Sequence, residues 1–168
     1  MQRTGFASIV VSTLLLAVSY ECSATTLPFV DGRWSGGIRP VSGEAKALEC
    51  WAKTGFHDGT SFSLVVREDH VWFLRLSNST WQLPPSHIFA MEALVDFYPR
   101  YRVSAVANSA TLLEIADLDE GPLLGNIENG HTIDLFSDGF NAKYELEGSA
   151  KIIQRLRNCL VDLRIGKQ

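Results

Sequence analysis

The chain has 168 residues, 46% of them hydrophobic and 20% charged, with a formal net charge of −4. These are globular values, and they exclude the collagen-like, coiled-coil and disordered classes. Lys and Arg are scattered, with no basic stripe to neutralise a row of phosphates, so no nucleic-acid partner is expected.

Residues 1–24 read as a cleavable secretion leader. Arg3 supplies a positive start, and Phe6 to Val18 is apolar without a charge. That run is shorter than the roughly 20 apolar residues that span a bilayer. Cys22-Ser23-Ala24 places small residues at the cleavage site, so the mature chain is expected to begin at Thr25. The alternative, an uncleaved anchor helix, conflicts with the Tyr20-Glu21 break, and Glu21 before Cys22 argues against lipid attachment. No second apolar run of spanning length follows, so no membrane span is expected after cleavage. The expected location is periplasmic or secreted.

Removing Cys22 leaves two of the three cysteines, Cys50 and Cys159. An even pair in an oxidising compartment usually bonds, although buried free thiols are the alternative. The bond would close a loop of about 110 residues, for which chain entropy alone suggests roughly 4–5 kcal/mol.

Residues 25–43 carry Pro28, Gly32, Gly36, Gly37, Pro40 and Gly43 and read as a flexible lead-in, with one short strand around Trp34 to Arg39. Lys46 to Thr54 reads as a strand, and Asp58-Gly59 marks a turn. The clearest period of two follows. Phe62, Leu64 and Val66 alternate with polar residues, then Trp72, Leu74 and Leu76 alternate with Phe73 and Arg75, which predicts a hairpin. Strands are predicted over His87 to Val95, Tyr101 to Ala107 and Thr111 to Ala116. Acids before Pro122 suggest entry to a short helix over Leu123 to Glu128, stopped by Asn129-Gly130. His131 to Phe136 and Phe140 to Leu146 form a second predicted hairpin, turned at Ser137-Asp138-Gly139.

From Ser149 the period changes. Ile152, Ile153, Leu156, Cys159, Leu160 and Leu163 make a helical stripe behind Ser149 as N-cap, with Lys151, Arg155 and Arg157 on the other face. The expected architecture is mainly β. It is one domain over 25–168, a β-sandwich or antiparallel sheet of about seven to nine strands with one short helix and a packed C-terminal α-helix.

Candidate chemistry is sparse. His57, His70, His87 and His131 lie in turns or at strand starts without ligand spacing, so no metal site is expected. No nucleophile elbow or Gly-rich phosphate loop is present, so no catalytic residue and no cofactor is assigned. Glu68-Asp69 and Asp117, Asp119 and Glu120 read as turn punctuation and capping. Asn78-Ser79-Thr80 fits a glycosylation acceptor. Of the four tryptophans, Trp51 and Trp72 read as core. Trp34 and Trp81 sit beside Gly- or Pro-rich turns, where a ring caps the end of the core or, if exposed, could stack on a sugar or anchor a protein.

The succession Cys50-Trp51, Asp58-Gly59-x-x-Phe62-x-Leu64, Trp72-x-Leu74-x-Leu76-Ser77-Asn78, Trp81-x-Leu83-Pro84 and Leu146-x-Gly148-Ser149-Ala150, ahead of a cysteine-bearing helix, resembles small secreted proteins of alphaproteobacteria. It is loosely similar to the invasion-associated locus B family. The second cysteine pair expected of that family is missing, and no functional residue carries over. The leading expectation is an exported non-enzymatic module that binds a protein or envelope component. A hydrolase or metal-dependent enzyme with an unrecognised site is the alternative, and a carbohydrate-binding module the third reading.

Overall fold

The structure, a computed structural model, describes residues 28–41 and 47–165; the expected leader lies outside the described residues. Among these residues ten strands form one open antiparallel sheet: β1 (Phe29–Asp31), β2 (Trp34–Pro40), β3 (Leu48–Gly55), β4 (Ser61–Arg67), β5 (Trp72–Ser77), β6 (Ile88–Val95), β7 (Tyr101–Ser109), β8 (Leu112–Ile115), β9 (Thr132–Ser137) and β10 (Phe140–Glu145). Their spatial order is β1-β2-β3-β4-β5-β8-β7-β6-β9-β10. Among the described residues two helices accompany the sheet, α1 (Leu123–Asn129) and α2 (Ser149–Ile165).

Alternation sets the inner face. The register places Cys50 opposite Val66, Ala52 opposite Leu64, Leu64 opposite Leu74 and Leu76 opposite Leu113, and all are buried. The far end of the sheet continues this face through Met91, Ala93, Val95, Ile133 and Leu135. The two ends curl toward each other across the core. Tyr144 of β10 meets Phe56 and Phe62 at ring distances of 5.0 and 5.7 Å, and Arg33 reaches Glu145 at 2.8 Å.

The stretch expected to be a loose lead-in is instead a hairpin from Phe29 onward, giving one strand beyond the range foreseen. Gly32 supplies the left-handed φ of 57° in its turn, and Gly36 serves close packing. A Cβ on Gly36 would overlap the Trp51 carbonyl and the Phe29 ring, so only glycine lets β2 lie against β3 here.

Helix α2 buries Ile152, Ile153, Leu156, Leu160 and Leu163, as the helical stripe requires. It packs over β3 and β4, and the Cys50–Cys159 disulfide joins it to β3 with Cα atoms 6.2 Å apart. Its polar face is tied to neighbours. Lys151 and Arg155 both pair with Asp31 of β1, and Arg157 grips Glu128 of α1 with two bonds of 2.6 and 2.7 Å. Among the described residues no helix is long and apolar enough to cross a membrane.

Of the two expected caps, Gly130 stands at the C-cap of α1 as read, while Ser149 differs. Ser149 is the first residue of α2, and its buried hydroxyl donates to the Ile127 carbonyl at 2.7 Å. It thus joins α1 to α2 rather than capping. Gly130 has an ordinary extended φ of −90°. Glycine is needed there for space, since a Cβ would run into Val95 and the Asn126 carbonyl.

Candidate functional site

The two tryptophans singled out from the sequence separate sharply. Trp34 is 1% exposed, donates its indole N–H to the Glu147 carbonyl at 2.8 Å and meets Phe62 edge-on. Its burial leaves no face open for a binding platform, and Gly148 lies against its ring, where an added Cβ would sit 3.4 Å away. Trp81 is partly buried in the connection from β5 to β6, with its ring edge-on to Phe140 at 5.9 Å. Trp72 is buried as read, while Trp51 is only half-buried and lies on the outer face between Arg39 and Lys53.

Trp81 forms one wall of a cleft of about 240 Å³. Leu83, Phe89, Met91, Leu113 and Phe140 supply the rest of its apolar lining, and Gln82 and Asp138 stand exposed at its edge. The walls are fixed by backbone bonds. Leu83 N–H donates to the Ala110 carbonyl at 2.9 Å, and Ser86 N–H donates to the Ala107 carbonyl at 2.7 Å. On the opposite side the Ser137 hydroxyl donates to the Ala90 carbonyl at 3.2 Å. The cleft sits where the inner sheet face opens at the start of β6. It is suited to holding an apolar group, and no titratable pair lies within it.

A second cluster lies on the outer face. Glu49 is 2% exposed and accepts from Arg39 at 2.6 Å and Arg75 at 2.7 Å; Arg75 also bonds Glu114, and Arg67 lies 4.0 Å from the other Glu49 oxygen. Burial alone would raise the Glu49 pKa, but the hydrogen bonds from Arg75 and Arg39 outweigh it and hold the carboxyl below its ordinary value. It therefore stays ionised near neutrality and is poorly suited to donate a proton. Arg67 and Arg75 also cover the face of Phe73, which keeps Phe73 and Val65 dry on an otherwise polar surface.

The remaining sequence candidates do not converge. His57, His70, His87 and His131 are all exposed; His87 stacks on Phe89, and His131 lies 3.3 Å from Asp96. Among the described residues no group of three or more His, Cys, Asp or Glu is placed to hold a metal. Asp69 accepts from the Val71 N–H, and Asp117 from its backbone carbonyl closes a turn with Glu120. Asn78 is buried, and its amide is fully engaged: Nδ2 donates to Asp58 O and Thr60 Oγ1, and Oδ1 accepts from Thr80 N and Oγ1. It clamps two turns together and is not available as a glycan acceptor in the folded chain.

The sequence reading passed over one exposed feature. Between β6 and β7, Phe97 is fully exposed at 104% and Tyr98 at 42%. Asp96 holds this turn at a left-handed φ of 45°. Its carboxylate accepts from the His131 and Thr132 backbone N–H groups, each at 2.8 Å, and from the Thr132 hydroxyl at 3.1 Å. Burial would raise the Asp96 pKa, but these bonds lower it. An Asp ahead of two aromatics and Pro99 was the signal available in the sequence.

With the strand order, disulfide and packed terminal helix established, comparison with solved structures becomes informative. The chain is similar in fold to invasion associated protein b from Bartonella henselae. The TM-score is 0.57, with 84% of this chain and 99% of that chain covered at 16% identity. The resemblance to the invasion-associated locus B family therefore extends to the fold, and identity this low shows the fold alone. No protein-family model and no curated protein matches the chain.

Proposed function

We propose that this is an exported, non-enzymatic module, periplasmic or secreted, that binds a protein of the cell envelope through the Trp81 cleft. The observation that carries the proposal is the cleft itself: about 240 Å³, lined by aromatic and aliphatic side chains, opening to solvent, and edged by Gln82 and Asp138. Binding hot spots are built this way, with an apolar anchor in a pocket and polar groups around it. The volume suits one large apolar side chain rather than a cofactor, since small-molecule sites usually run from about 300 to 1,000 Å³. Export is supported by the leader-like residues 1–24 and by a disulfide of the kind that persists in oxidising compartments. The non-enzymatic reading is supported by the buried carboxylate Glu49 being committed to arginines and by the dispersed histidines.

The test is affinity capture from envelope extract with the wild type and with Gln82→Trp, which fills the cleft from its exposed edge. A protein retained by the first and lost by the second supports the reading. Equal capture by both overturns it. Binding to a sugar array that disappears in Trp81→Ala would move the assignment to a carbohydrate-binding module.

A further inference from the structure

We propose that the group received by the Trp81 cleft is Phe97 of a second copy of this chain, so that the protein self-associates by a knob-into-cleft contact. This rests on the reading of the cleft as a protein-docking site and names its partner.

The knob is built and waiting. Phe97 is fully exposed, yet its turn is not loose: Asp96 is held by the bonds to His131 and Thr132, and the Tyr98 N–H closes the turn onto the Val95 carbonyl at 2.9 Å. An aromatic projected by a preorganised turn loses little further freedom on docking. The cleft matches it in size. A cavity of about 150 Å³ holds a benzene ring, and about 240 Å³ is offered by Trp81, Leu83, Phe89, Met91, Leu113 and Phe140.

The charges also match. Three residues after Phe97, Arg100 pairs with Glu92 at 2.9 Å and lies over Phe136, yet leaves 60% of its side chain exposed for a second carboxylate. At the edge of the cleft Asp138 is exposed and has no ion-pair partner among the described residues. A knob bearing an arginine would meet a cleft bearing a carboxylate.

Geometry rules out the chain filling its own cleft. Phe89 is the second residue of β6 and Phe97 lies two residues past its end, and the six strand steps from Phe89 to Val95 alone span roughly 20 Å. The contact must therefore be made between copies, closing as a reciprocal pair or propagating head to tail. One anchored ring with a charged flank is a small interface, so association in the high micromolar to millimolar range is expected.

Sedimentation velocity of the purified protein from about 10 μM to 1 mM tests this. The wild type should associate with rising concentration, and high salt should weaken it. Phe97→Ser, which changes only an exposed ring, should lower the association constant on the order of 10- to 100-fold. Gln82→Trp should do the same from the other side. Mixed together, these two variants should form a 1:1 dimer and nothing larger, because each keeps the half the other lacks. Arg100→Glu should weaken association, and adding Asp138→Arg should restore it. A monomeric wild type at 1 mM, or undiminished association of Phe97→Ser, overturns the proposal. If the wild type is monomeric while Gln82→Trp still loses a captured envelope protein, this inference fails and the proposed docking function stands.

Discussion

Breaking the Cys50–Cys159 bond should lower stability by about 4–5 kcal/mol, less any relief of native strain, because the bond closes a loop with a sequence separation of 109. The folded state should nonetheless survive. Ile152, Ile153, Leu156, Leu160 and Leu163 still hold α2 on the sheet, each contributing roughly 1.5–3 kcal/mol of burial. Urea unfolding of the wild type and of Cys50→Ala with Cys159→Ala separates the two contributions. The midpoint should fall, with a melting temperature lower by on the order of 10 °C. The slope should rise, because an uncrosslinked denatured chain exposes more surface. Reduced wild type should follow the double variant. Superposed curves for oxidised wild type and the variant would refute the reasoning, as would free thiols at both positions in denatured, unreduced protein.

Glu49→Gln should cost about 3–5 kcal/mol, since Arg39, Arg67 and Arg75 lose a buried counter-charge. The sign of its pH dependence follows from the lowered pKa: the stabilisation is present above the unfolded glutamate value, near 4.3, and is lost as pH falls through the lower folded value. Melting temperature against pH should therefore fall less steeply in acid for the variant than for the wild type. Leu156→Asp places a charge at a fully buried position of α2 and should abolish the folded state, read by near-UV circular dichroism. A folded variant with an unchanged melting curve would show that α2 does not hold the sheet. Gly130→Ala should destabilise by about 1–3 kcal/mol through overlap with Val95, although its φ suits any residue; a neutral result in urea titration would mean that β6 yields there.

Local patterning made much of the fold legible. The alternation of Phe62, Leu64 and Val66 with Trp72, Leu74 and Leu76 led directly to β4 and β5, and the stripe from Ile152 to Leu163 to α2. Strand β1 escaped because three residues, Phe29 to Asp31, are too few to show a period. Trp34 stayed open between core and surface because glycines signal turns and close strand packing alike, and only the register to β3 tells which. Glu49 shows a deeper limit. Its burial depends on arginines from β2, β4 and β5, brought together by pairing that no single strand encodes. Within the candidate site Trp81 was visible, but Leu113 and Phe140 reach it from distant parts of the chain. Phe97 and Tyr98 drew no reading between the predicted strands, and their exposure became clear only once the Asp96 turn was placed.

The nesting of the strands carries a consequence for the order in which the chain assembles. Strands β1 to β5 pair only with sequence neighbours until β8 arrives, so that half of the sheet can zip up from successive hairpins at small loop-closure cost. The groove over β3 and β4, however, is filled by the last helix, and Cys50 must wait for Cys159. A chain stopped before Ser149 would have all ten described strands but an uncovered apolar face and an unpaired thiol. Such a species is an aggregation risk during synthesis, so delivery of the C-terminal helix is the step at which this protein is committed to its final form.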